Sequence, residues 1–188
     1  MIQNYKGFIS LLIIALSSMW LLKKVPETIS IESVGVAKHD VDYFSVNYTK
    51  LQMDELGLPD NKLAADYAVH YRDMSEIELI KPVNTSYTLS EPAWVTHSET
   101  GIVLDSGDKL FLNGKVTIDK VVNDPIDRLN IKTTNLVLEP NKHYAETAEW
   151  AELVTETDIL SGIGMQLYYQ APMRLDLLAQ VRGRHVYK

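Results

Sequence analysis

The chain has 188 residues, with 25 acidic against 18 basic side chains, a formal charge of −7 and no cysteine. Once its apolar N-terminus is set apart, that length supplies a single core. The acidic balance argues against a nucleic-acid partner, which usually meets a basic face, and the lack of cysteine excludes disulfides, thiolate catalysis and cysteine zinc sites.

The first element is apolar. Gly7 to Leu22 reads GFISLLIIALSSMWLL, uncharged and closed by Lys6 on one side and Lys23 and Lys24 on the other. As a helix this run is roughly 24 Å long, and flanking lysines that snorkel with local bilayer thinning let it span. A cleaved signal peptide is the alternative, because Ala15-Leu16-Ser17 has small residues at cleavage spacing. Cutting there leaves Ser18-Met19-Trp20-Leu21-Leu22 as an exposed apolar N-terminus, so an uncleaved anchor over 7–24 is expected, after a short tail at 1–6. Lysines flank both ends, so charge alone leaves the orientation open. Ser10, Ser17 and Ser18 share one face, where small hydroxyls permit close approach of a partner helix or simply bond back to their own helix carbonyls.

Residues 25–42 lack a sustained period and read as a tether, and the folded domain is expected over 43–188. From there the period is two. Leu51 and Met53 alternate with polar neighbours, as do Leu63, Ala65, Tyr67, Val69 and Tyr71, and the turn formers from Glu55 to Asn61 make the two runs a hairpin. Short strands follow at Ile77 and Leu79 before the break at Lys81-Pro82, at Val83 to Leu89, Trp94 to Ser98, Ile102 to Leu104 and Leu110 to Asp119. Further strands are expected at Leu129 to Thr133, Leu136 to Leu138, Ala148 to Val154, Met165 to Tyr169 and Met173 to Val186. Asp105-Ser106-Gly107-Asp108 reads as a tight turn, Asn113-Gly114 as a kink within a strand and Asn123-Asp124-Pro125 as another turn. With no helical stripe after residue 24, this spacing predicts an all-β sandwich, jelly roll or barrel.

Candidate chemistry is sparse. The five histidines are scattered without metal-ligand spacing, and any carboxylate pair is explained by the number of carboxylates. Gly162-Ile163-Gly164 and Asp105-Ser106-Gly107 lack a following helix and read as turns, not as phosphate or nucleophile loops. No catalytic residue, metal or cofactor is expected. The informative set is apolar: Leu63, Ala65, Tyr67, Val69, Ile77, Leu79, Leu175, Leu177, Ala179 and Val181. On pattern alone they form either a closed core or, if the layers splay, a groove for an acyl chain with strand edges free to pair.

In order, the short membrane helix, the hairpin with Gly57, Tyr67 to Asp73, Lys81-Pro82-Val83, Lys109 to Val116, Gly164-Met165 and Val181-Arg182-Gly183 span nearly the whole chain. Taken together they resemble the LptC family of lipopolysaccharide export proteins. The resemblance implies a twisted, open β-jelly roll of two antiparallel sheets in the periplasm, anchored in the inner membrane by a single helix, and not an enzyme. Its implied partners are lipopolysaccharide, the membrane subunits of the exporting ABC transporter (LptBFG), which the helix docks, and the bridge protein LptA, which adds at the last strand edge. It places groove positions on Tyr48, Leu79, Leu175 and His185, the polar His185 departing from an acyl lining. It also implies structural or docking roles for Gly57, Gly114 and Gly164. A membrane-tethered scaffold that binds no lipid is the alternative.

Overall fold

The computed structural model describes Ser17 and residues 40–72, 74–88, 93–104, 107–122 and 128–185. The chain divides into two compact units, Met1–Lys38 and His39–Lys188. The expected tail at 1–6, the helix at 7–24 with Ser10 and Ser18, and the tether up to residue 39 lie outside the described residues, apart from Ser17, an exposed helical residue. Among the described residues no helix is long and apolar enough to cross a membrane.

The second unit is all-β. Its strands are β1 (Val41–Met53), β2 (Pro59–Tyr71), β3 (Glu76–Ile80), β4 (Val83–Ser86), β5 (Trp94–Leu104), β6 (Leu110–Lys120), β7 (Leu129–Glu139), β8 (Tyr144–Val154), β9 (Asp158–Tyr168) and β10 (Arg174–His185), with a 3₁₀ turn at Pro140–Lys142. The expected two sheets are one. All ten strands join a single antiparallel sheet in the order β1-β2-β3-β5-β6-β7-β8-β9-β10, with β4 pairing β2 and β5. Apart from β3 and β4, which each bridge β2 and β5, chain neighbours pair with one another through short connections, so no break in the ladder divides the sheet.

The layers arise because the strands are interrupted near their middles. Registers shift between Ser98 and Thr100, Leu112 and Lys115, Lys132 and Val137, Thr147 and Trp150, and Ala179 and Arg182. Positive φ falls at Asn47, Lys81, Gly114, Asn135, Gly164 and Gln180. A bulge bends its strand and lets the buried face change parity. Thus β5 buries Trp94, Thr96 and Ser98, then Gly101 and Val103, and β7 buries Leu129, Ile131 and Thr133, then Leu136 and Leu138. The sheet folds across this crease, so Ser86 at the end of β4 reaches the Tyr169 hydroxyl beyond β9 at 3.4 Å. Between the layers lies one apolar cluster that includes Leu112, Ile131 and Leu167, each 0% exposed.

Glycine at the crease carries a stated cost. Gly164 has φ +74°, and a Cβ there would meet Leu178 Cδ1 at 3.0 Å, whereas Gly57 in the first hairpin has φ +77° and open space around it. Gly57→Ala is therefore expected to cost about 1 kcal/mol from backbone conformation alone, and Gly164→Ala about 2 kcal/mol because contact with Leu178 adds to it. Urea unfolding of the two variants checks the order; equal midpoints would refute it. Gly114, at φ +77°, faces the Glu99 side chain, which is exposed and free to yield.

Candidate functional site

The predicted apolar lining separates into three groups. Leu63, Ala65 and Leu79 are buried in the core, Leu79 at 1% exposure, while Tyr48, Ile77, Leu175 and Leu177 pack against that core with part of their surface free. Tyr67, half-buried, and Val69, buried at 8% exposure, lie outside that cluster. Ala68 takes the core position, Tyr67 pairs with the exposed Ile80 and Val69 with the exposed Phe44, and the Phe44 and Tyr67 rings stack at 5.7 Å. The period-two extrapolation fails because β2 exchanges β4 for β3 as partner between Ala64 and Tyr67, and the inward face changes parity there. Ala179 and Val181 are exposed, since the register shift between Ala179 and Arg182, with Gln180 at φ +51°, ends the alternation that seats Leu175 and Leu177.

His185 lies at the end of β10, its Nδ1 2.6 Å from Asp158 Oδ1 on β9. That hydrogen bond, joined by one from the Thr157 hydroxyl, holds the Asp158 carboxyl below the usual carboxylate range. Gly57, Gly114 and Gly164 stand at turn and crease positions that need positive φ.

One end of the interior is polar, which alternation did not reveal. Asn61, Asn84, Ser86, Thr96 and Ser98 are all buried. Asn84 Nδ2 donates to Ser86 Oγ at 3.2 Å. The Trp94 and Tyr169 rings meet at 6.1 Å, with the His143 ring edge-on to Tyr169. Asn61 reads as the last of the turn formers from Glu55, and Asn84 lies at the start of the strand expected from Val83; the signal available was that each falls at an inward position once its strand is extended through it. A cavity of about 20 Å³ opens beside Asn61, Leu63, Asn84, Val103 and Leu110.

Polar contacts tie β1 across this end. Gln52 Nε2 donates to Asn141 Oδ1 at 3.0 Å, and Asn141 Nδ2 donates to Asp108 Oδ1 at 2.9 Å. Beside them the nearly buried Glu139 receives Lys142 and, at 3.3 Å, Lys109; the Lys142 contact leads in holding its carboxyl below the usual range.

Among the described residues no strand pairs beyond either margin of the sheet. β1 and β10 end the strand order, so each leaves one row of backbone groups without a ladder partner, and β1 exposes Tyr43, Phe44 and Val46. Among the described residues no three His, Asp or Glu side chains stand where they could hold a metal. What the arrangement offers chemically is apolar surface reached from two hydrogen-bonding edges.

A family model for LptC, described as lipopolysaccharide-assembly, LptC-related, matches residues 8–186. No curated protein matches the chain.

Proposed function

From the chain's membership of the LptC-related lipopolysaccharide-assembly family, we propose that it is the inner-membrane-anchored periplasmic component of the lipopolysaccharide transport bridge. It accepts lipopolysaccharide from the LptBFG transporter complex and passes it to LptA for export to the outer membrane. The observation that carries this reading is the partly exposed apolar rim of Tyr48, Ile77, Leu175 and Leu177, packed on the core and placed on or near the free edges. Binding is burial: each acyl methylene taken out of water contributes about 0.8 kcal/mol, while the sugars stay hydrated outside. The free edge of β10 supplies backbone donors and acceptors for strand addition by LptA. The segment 7–24, with Ser10, Ser17 and Ser18, anchors the protein and docks the transporter, whose ATPase provides the energy.

Photocrosslinking residues placed at Tyr48, Leu175 and Leu177 in a lipopolysaccharide-producing cell are expected to capture lipopolysaccharide, with weaker capture from the fully buried Leu79. Adducts missing from all four positions would sink lipid carriage. One observation favours a second reading, a membrane-tethered scaffold that binds no lipid: a single apolar core cluster runs between the layers. Lipid carriage therefore requires the layers to part at their free edges, and the same crosslinks decide between the two.

A further inference from the structure

The inner wall of β1 and β2 changes character along its length. Tyr48 pairs with Ala65, Lys50 with Leu63 and Gln52 with Asn61. On the other side of β2, Asn84 pairs with Leu63 and Ser86 with Asn61. A hydrocarbon chain lying on this wall meets Ala65 and Leu63, then within about 14 Å of strand the amides of Asn84 and Asn61. Asn61 is 7% exposed and Trp94 2%, yet Asn61 Oδ1 and Trp94 Nε1 have no protein hydrogen-bond partner. They lie in one cross-strand row, Asn61 opposite Ser86 and Ser86 opposite Trp94. An acceptor and a donor buried without partners each carry a full desolvation penalty, so a native fold supplies them with partners. The cavity at Asn61, about 20 Å³, holds one water molecule by volume, and its mixed lining brings Lys50, Gln52, Asn61 and Asn84 beside Leu63, Val103 and Leu110, enough polar groups to keep a water in place.

Resting on the lipid-carrier reading, we propose that the Asn61–Asn84 end of the interior is a water-holding polar stop that sets how far an acyl chain penetrates. Hydrocarbon pushed past Leu63 would have to displace a water that satisfies Asn61 and would leave the Asn84 amide against alkyl surface; both oppose entry. The stop is thus a specificity determinant for acyl length, separate from the rim that captures the lipid.

Two measurements test it. In a crystal structure of the full chain with ordered solvent, a water within hydrogen-bond distance of Asn61 Oδ1 is expected; a dry site, or Asn61 turned onto a protein donor, overturns the water-holding stop. This arm uses the unaltered chain and needs no lipid. In the second, a homologous series of single-chain amphiphiles is titrated against the full chain. Affinity is expected to rise about fourfold per added methylene up to a limiting length and then level off. Asn61→Leu and Asn84→Leu should carry the fourfold rise beyond that limit, and Asn84→Ser should keep it where it was. If the leucine variants level off at the same length as the unaltered chain, the stop is wrong although lipid binding stands. If no variant binds any amphiphile, the lipid reading fails and the stop with it.

Discussion

Replacing Leu79 with alanine is expected to lower the unfolding free energy by about 3 kcal/mol, with the denaturant slope unchanged. The side chain is 1% exposed, lies in the single core cluster and is flanked on its row by Ala68 and Gly101, small neighbours that cannot move in to fill a void. Such truncations lose the transfer free energy of the removed methyls and add a cavity cost. Leu175→Ala, on the edge strand and already part-exposed, is expected to cost under about 1.5 kcal/mol because solvent reaches the site. The contrast matters for function: loss of lipid capture in Leu79→Ala reports on folding unless stability is measured beside it, whereas loss in Leu175→Ala reports on the rim. Urea melts of both variants decide this, and a Leu79→Ala cost below about 1 kcal/mol would place Leu79 in an open groove wall and not in the core.

How far the fold was legible follows from the same residues. Alternation in Leu63 and Ala65, and the turn formers between Met53 and Asn61, located the first hairpin, because a half-buried strand must show period two. The mid-strand bulges were not legible as such. Their polar, parity-breaking residues in β5 and β7 look like turns, so Trp94 to Ser98 and Ile102 to Leu104 read as two strands where there is one, and Leu129 to Thr133 and Leu136 to Leu138 likewise. Only Asn113-Gly114 announced its bulge, through a glycine that takes positive φ. The same parity change carried Tyr67 and Val69 out of the core cluster, with Val69 still buried, and the shift at Gln180 left Ala179 and Val181 exposed. A long-range pairing decides each case, and local pattern does not contain it. The polar end was missed for a different reason. Asn61 reads as a turn former, and its burial follows from long-range closure: Ser86 lies opposite it, and Ser86 in turn pairs with Trp94 and reaches the Tyr169 hydroxyl, far along the chain.

That closure predicts an alkaline weakness. Tyr169 is 2% exposed, and burial, helped slightly by the negative charge of Asp60 and opposed by the hydrogen bond with Ser86, pushes its hydroxyl up to about 12 from an ordinary 10.0. A folded value above the unfolded one means the fold favours the neutral phenol. The corresponding stability is fully present below about pH 10 and is lost as the pH rises through about 12, and the gap amounts to roughly 3 kcal/mol. Tyr144 is pushed up too, first by burial and then by its hydrogen bond to Glu146, and burial also raises Tyr48 and Tyr71, so among the described residues Tyr169 is one of four contributors to the alkaline loss. Tyr169→Phe is therefore expected to reduce the loss between pH 10 and 12 by its own share, and Tyr169→Phe with Tyr144→Phe to reduce it further. At neutral pH the single variant should cost about 1 kcal/mol or less, since the Ser86 bond is long at 3.4 Å. Tyrosinate absorbance followed beside unfolding by far-ultraviolet circular dichroism checks this. Tyr169 ionising near pH 10 with the fold intact would show that solvent reaches its hydroxyl and that the Asn61 end is open. Ionisation coupled to unfolding would show that this end is sealed, as a stop on the lipid path requires.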